Sequence, residues 1–346
     1  MSGGRSILVT GATGFLGKAL VPRLAAAGHR VRMLGRSAPG AELLDHGEFV
    51  QGDLGDRAAL KRALDGVEVL YHLAGMVSFD PADGPAMYRL HVAGTRGLLE
   101  EARARGRLER MVLASTSGTI AVSRTERVAT EEDLPPVEVV GRWPYYLSKI
   151  YEEKLVLEHG SKHRLPVVVL NPSLLLGPGD ERLSSTWTVM KFLQRDLPAM
   201  PGGGISFVDV RDAAEAFVAA LDQGEVGGKH LLGVNMSMSE FFGRLERLSG
   251  VPAPRLRLPS KVKVAGAKLL EKLAEARGRA PALDAASVDI AEHWFWVDAR
   301  KAEHELGFVA RDPQETLRDT VLDLLARMPE KHWPGTKGRL AALRRS

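Results

Sequence analysis

The sequence predicts an α/β chain, with a doubly wound parallel sheet followed by a smaller, mostly helical region. Apolar, strand-like runs alternate with helix-periodic stretches over about 170 residues. The first of these runs, ILVT, stops at a loop in which glycine recurs at Gly11, Gly14 and Gly17. Beyond residue 173 the alternation loosens into a glycine- and proline-rich stretch. The chain has 346 residues, 45% of them hydrophobic, ample for a full core. Basic residues number 47 and acidic ones 43, so the net charge of +4 is too small to point to nucleic acid. With no cysteine, disulfides, a thiolate nucleophile and cysteine-ligated metals are excluded, and no metal site is expected. The N-terminus lacks the apolar core of a signal peptide, and no apolar window reaches the roughly 20 residues of a membrane span. A cytoplasmic location is therefore expected.

The stretch 6–10 reads as a buried strand, and 15–27 carries Leu16, Ala19, Leu20, Leu24 and Ala27 at helical spacing. Strand, glycine turn and helix together make a dinucleotide site of the Rossmann type. Gly11 permits the turn, Gly14 lets the backbone approach a pyrophosphate, and Gly17 lets helix and strand pack closely. Gly11, Thr13, Gly14, Phe15, Leu16 and Gly17 are the candidate cofactor loop. A second strand, 30–34, leads into Gly35-Arg36-Ser37. An NAD site places an acid at this point for the ribose hydroxyl, whereas Arg36 suits a 2′-phosphate, so NADP is favoured over NAD. Strands at 48–54 and 67–75 repeat the pattern, with helices expected at 56–65 and 84–105. They add Asp53, Leu54, Ala74 and Gly75 as candidate cofactor contacts. Strands at 111–116 and 166–173 follow.

Tyr145 and Lys149 stand four apart at the head of a helical stretch, on one helix face. A fixed cation beside a tyrosine favours the phenolate and lowers a pKa that is ordinarily about 10. On spacing alone, the two residues also read as a surface pair.

With TGATGFLG, GDL, HLAG, HVAGT and LNPSLLLGPGD in this order, the chain resembles the extended short-chain dehydrogenases/reductases of the epimerase/dehydratase group. It is most similar to their dihydroflavonol-reductase-like branch. The resemblance runs from the first strand to ELGF at 305–308. It implies a Thr/Tyr/Lys set, with Thr116 holding the substrate oxygen, Tyr145 moving the proton and Lys149 tuning Tyr145 and holding the nicotinamide ribose. Ser117 is the second choice for the hydroxyl, and Ser115 is its other neighbour. The resemblance also places Asn171, Pro172 and Ser173 beside the nicotinamide and implies a homodimer. Relatives often have asparagine where His91 stands, and His91 is read as a packing residue.

On this reading 1–172 forms the NADP-binding part, with 205–235 returning to it. Residues 173–204 and 236–330 form the substrate-binding part, and 331–346 is a tail. The run 230–235 reads as one final strand. Nucleotide-sugar relatives carry an arginine where Gly204-Ile205-Ser206 stand, which favours a less charged substrate, although Arg182, Lys191 and Arg195 are available. The stretch 261–279 has apolar residues at 262, 265, 269, 270 and 273 with lysines between them. It is expected as a core-packed helix with a solvated face, ahead of a pocket lid or a membrane contact. Trp294 and Trp296 are read as core. The expected activity is NADP-dependent reduction of a ketone or aldehyde to an alcohol, or its reverse. The alternatives are a nucleotide-sugar epimerase or dehydratase with bound NAD(P), and a non-catalytic dinucleotide-binding module.

Overall fold

The computed structural model describes residues 4–106, 108–276 and 284–328, without the side chains of 273–276. The tail 331–346, the end of the stretch 261–279 and residues 329–330 lie outside the described residues. The strands are β1 (Ser6–Thr10), β2 (Arg30–Gly35), β3 (Glu48–Gln51), β4 (Val69–His72), β5 (Arg110–Ala114), β6 (Val128–Ala129), β7 (Val167–Pro172), β8 (Leu174–Leu176), β9 (Gly204–Asp209), β10 (Lys229–Leu232), β11 (Val234–Ser237) and β12 (Trp296–Val297).

Seven of them form one parallel sheet in the order β10-β7-β5-β4-β1-β2-β3. Both faces are covered by helices, so its central strands can be apolar throughout: β4 and β7 are buried at every residue. One face packs Leu20 and Leu24 of the helix Phe15–Ala26 and Phe217 of the helix Val210–Ala219 against Ile7, Val9 and Tyr71. The other packs Leu60, Leu98 and Val156, from three helices, against Leu8, Leu70 and Met111. The strand order reverses between β1 and β4, and such a switch point opens a crevice at the carboxyl ends of the strands.

The run expected as a single strand at 230–235 is divided. β10 completes the parallel sheet, and β11 pairs antiparallel with β9 in a second sheet, β11-β9-β8. Gly233 makes the crossing possible, because a Cβ there would lie 2.3 Å from Ser206 Oγ and 2.6 Å from Ser173 Oγ. The second sheet covers a separate core that includes Phe192, Phe207, Phe241, Phe242, Leu317 and Leu324. The stretch 84–105 is helical but interrupted by a π-helical segment, Arg89–Gly94, that carries His91 inward. Among the described residues, no helix is long and apolar enough to cross a membrane.

Candidate active site

The carboxyl ends of β1, β2, β4, β5 and β7 open on one cleft of about 2510 Å³. Gly11 sits at φ +73°, and a Cβ there would lie 2.6 Å from the Leu73 and Ala74 backbone. At Gly17 a Cβ would lie 2.4 Å from the Gly11 carbonyl oxygen. Gly14 differs: its φ is −78°, and a Cβ would meet only that same oxygen, at 3.1 Å. Gly14 caps the helix Phe15–Ala26 without a side chain, leaving the first-turn amides open to a ligand, and no acid stands in that turn to repel an anion. These features fit a pyrophosphate cradle, and Gly11, Thr13, Gly14, Phe15, Leu16 and Gly17 all line the cleft.

Arg36 and Ser37 also line it, after β2. The Arg36 side chain is exposed and has no acid partner among the described residues, so a phosphate would be its first strong partner. Gly75, Pro172 and Ser173 lie on the wall. Asp53, Leu54 and Ala74 do not. Asp53 Oδ1 is used by the Gly55 and Asp56 amides at 2.7 and 3.1 Å, Leu54 is buried against Gly94, and the Ala74 side chain turns to the core while Leu73 takes the wall.

Thr116 follows β5 and caps the short turn Ser117–Thr119, accepting from the Gly118 amide at 3.3 Å. Its side chain faces Tyr145 closely enough to lower the phenol's pKa. Ser115 and Ser117 share the cleft wall with Thr116, but the Ser115 hydroxyl donates to Glu153 at 2.6 Å. Tyr145 and Lys149 project from the helix Pro144–His163, which begins with proline at its first position. Burial pushes the Tyr145 phenol above its ordinary value. The Lys149 ammonium and the Thr116 side chain pull it down, and the Glu152 carboxylate pushes it up again. The balance is upward, so the expected drift toward phenolate is corrected: desolvation outweighs the cation.

Lys149 is buried, donating to the Ala114 carbonyl at 2.8 Å and pairing with the Glu152 carboxylate. Glu152 also accepts from Thr95 Oγ1 at 3.1 Å and faces His72 Nε2 at 3.4 Å. Burial alone would raise the Glu152 carboxyl; Lys149 and His72 instead hold it at about 2. One residue on, Glu153 accepts from Ser115, Thr119 and Asn171 and pairs with Lys229 at 2.6 Å. Neither glutamate was identified from the sequence. Their spacing of three and four from Lys149 was the available signal, since it puts them on the Lys149 face of the helix.

His91 uses both ring nitrogens. Nε2 accepts from the Met76 amide at 3.0 Å, and Nδ1 bonds Ser148 Oγ at 2.8 Å, whose hydroxyl donates to the Tyr145 carbonyl. One neutral tautomer satisfies the chain, which ties the loop after β4 to the Tyr145 turn. Burial, reinforced by Lys149, lowers His91 from 6.5 to about 4. The unfolded chain therefore binds a proton here, between pH 6.5 and about 4, that the folded chain refuses. This contribution is full above pH 6.5 and is lost on acidification, by about 3 kcal/mol at the acid end. Thermal unfolding of His91→Asn should accordingly show a smaller loss of midpoint between pH 7 and 4.5 than the parent. Equal losses would remove this ring from the acid response.

The substrate end of the cleft is largely apolar, with Phe79, Trp187, Leu197, Ile205, Phe242 and Phe295 on its wall. Tyr146 also lines it, packed against Phe79 at 5.8 Å and Trp143 at 6.0 Å between ring centroids. Ser206 brings no charge to the position that lacks arginine, and the buried Oγ atoms of Ser173 and Ser206 have no hydrogen-bond partner among the described residues. Lys191 is taken by Asp196 at 2.9 Å, leaving Arg182 and Arg195 exposed on the cleft wall. Trp294 and Trp296 pack edge to face at 4.7 Å against Gly204, off the wall. The expected core packing of the stretch 261–279 is overturned. The helix Ser260–Ala276 turns Ala267 inward but leaves Val262, Leu269 and Leu270 exposed.

Residues 7–233 match the family model described as the NAD dependent epimerase/dehydratase family. A putative dihydroflavonol 4-reductase of Synechocystis sp. is 32% identical over 334 residues, covering 94% of this chain and 93% of its own. Sterol demethylase protein B of Methylococcus capsulatus is 32% identical over 321 residues, 91% of this chain and 96% of its own. Among solved structures, that of gox2253 superposes with a TM-score of 0.80 at 29% identity, covering 94% of this chain and all of that one.

Proposed function

The chain belongs to the NAD-dependent epimerase/dehydratase family, and from that premise we propose that it is an NADP-dependent carbonyl reductase acting on a ketone or aldehyde of a largely apolar, weakly charged substrate. The observation that carries this reading is the Thr116–Tyr145–Lys149 set, which lines one largely apolar cleft with the glycine loop. The names of the relatives, a reductase and a sterol demethylase, agree with an oxidoreductase of apolar compounds.

The glycine loop would hold the pyrophosphate and Arg36 the 2′-phosphate, and a bound nicotinamide supplies the hydride. The chain's own residues do the rest. Thr116 fixes the carbonyl oxygen within reach of Tyr145, which donates the phenolic proton to that oxygen as it gains negative charge. Lys149 has three donors, of which Ala114 and Glu152 occupy two, so one remains for a ribose hydroxyl. Its ammonium also stabilises the phenolate that Tyr145 becomes. The apolar wall excludes water and strengthens each of these contacts. A nucleotide diphosphate would find serine where the arginine of nucleotide-sugar relatives stands, with Arg182 and Arg195 as the exposed cations of the cleft wall.

NADPH oxidation with a panel of ketones and aldehydes tests the reaction, and absence of turnover on every carbonyl tried would count against it. Arg36 tests the cofactor. Arg36→Ala is expected to weaken NADPH by about 1.5–3 kcal/mol, the scale of one charge-assisted hydrogen bond, and to leave NADH nearly unchanged. Equal affinity of the parent protein for the two cofactors, measured by fluorescence titration, would remove the NADP assignment.

A further inference from the structure

The segment from Leu256 to Lys272 concentrates exposed apolar side chains. Leu256 is 53% exposed, Val262 51%, Leu269 60% and Leu270 62%, although they lie in or beside a helix long enough to bury a face. Ala267 is buried and Val264 and Lys263 are half-buried, with the Lys263 ammonium donating to the Met200 carbonyl and paired with Glu292. The exposed atoms are organised. Val262 and Leu269, seven apart, share one stripe of the helix; Leu270 lies beside them toward the cleft, whose wall it joins with Leu256 and Val262.

On the other flank, Lys261, Lys268 and Lys272 form a second stripe. All three are exposed, and none pairs with an acid among the described residues. Between 255 and 272 the sequence has six basic residues and one acid, Glu271, which lies on the cleft wall. An apolar stripe bordered by unpaired lysines is the pattern of a helix lying in the headgroup plane of a bilayer. Its apolar side chains enter the acyl boundary, and its lysines meet anionic headgroups.

We propose that the helix Ser260–Ala276, with Leu256 and Leu258 before it, docks on an anionic lipid surface and sets the cleft mouth against it. Because Val262 and Leu270 belong both to the docking stripe and to the cleft wall, a lipid-borne substrate would pass from bilayer to cleft without crossing water. The docking itself does not depend on the carbonyl-reductase reading.

Co-sedimentation of the full chain with vesicles tests the proposal without turnover, so a failed activity assay leaves its result intact. With phosphatidylcholine vesicles containing one quarter phosphatidylglycerol, the protein should pellet at low salt. With phosphatidylcholine alone the bound fraction should be at least about tenfold lower, and added salt should release the protein. Leu269→Asp, off the cleft wall, and separately the triple change Lys261→Glu, Lys268→Glu and Lys272→Glu, should each lower vesicle binding at least about tenfold and leave NADPH binding as in the parent. A parent chain that stays in the supernatant with anionic vesicles overturns the proposal, as does a charge-reversed variant that pellets like the parent. If Leu269→Asp instead converts a dimer to a monomer in sedimentation velocity and keeps its vesicle binding, the stripe is a contact between copies, and the proposal is equally overturned.

Discussion

Tyr145→Phe is expected to slow carbonyl reduction by about 100-fold or more, the scale of a well-positioned general acid, while NADPH affinity stays within a few-fold. The substitution removes one hydroxyl and nothing else. The ring still packs edge to face on Phe79 and His91, at 6.0 and 6.2 Å between centroids. Burial raises the phenol's pKa, so the substitution removes a neutral hydroxyl rather than a charge. Lys149→Met is the poorer probe: it would leave the Glu152 carboxylate buried without its cation, and stranding a buried charge costs about 3–5 kcal/mol, enough to confuse rate with folding. Tyr146→Phe belongs in the same assay, since Tyr146 shares the cleft and stands 5.1 Å from Tyr145 between ring centroids. Its ring is the part that packs, so turnover should survive loss of its hydroxyl. Should the Tyr146 variant lose activity and the Tyr145 variant keep it, the wrong tyrosine has been assigned; should both keep it, the reaction does not run through this helix.

What was legible in the sequence follows from which forces are local. The parallel sheet could be read because strands covered on both faces have to be apolar along their length, as VVVL in β7 and ILV in β1 are. The glycine loop could be read because turn, approach and packing each need a missing side chain at a set position. Other features depend on partners far away in the chain. The division at Gly233 reflects Ser173 and Ser206, neither of them near it in sequence. The sign of the Tyr145 shift needs the depth of the cleft floor; four residues of spacing reveal Lys149 but not the desolvation that outweighs it. Asp53 and Ala74 stand at strand ends, as cofactor contacts often do, yet Asp53 Oδ1 accepts from its own turn and neither residue lines the cleft. For the stretch 261–279, helical periodicity was the right signal, but it shows only that an apolar face exists and not that the protein covers it.

The three glycines of the loop are expected to respond differently to substitution, and that difference separates binding from folding. Gly14→Val should abolish measurable NADPH binding, with at least about a 100-fold loss, because two or more charge-assisted amide contacts to a pyrophosphate are each worth about 1.5–3 kcal/mol. The fold should survive. Gly14 has φ −78° and ψ 172°, extended backbone that valine adopts readily, and a Cβ meets one carbonyl oxygen at 3.1 Å, so a shift of a few tenths of an ångström accommodates it. Valine is a weaker helix N-cap than glycine, which limits the thermal cost to a few degrees, or about 1 kcal/mol. Gly17→Val should behave in the opposite way. Its Cβ would lie 2.4 Å from the Gly11 oxygen and 2.6 Å from the Ala12 backbone, so helix and strand must separate and the unfolding midpoint should fall by far more than for Gly14→Val. Thermal unfolding and NADPH titration of both variants decide the matter. If Gly14→Val binds NADPH as the parent does, the loop serves the turn alone and the cleft holds its ligand elsewhere; if it unfolds as readily as Gly17→Val, Gly14 is there for packing, and the cradle has to be built from other residues.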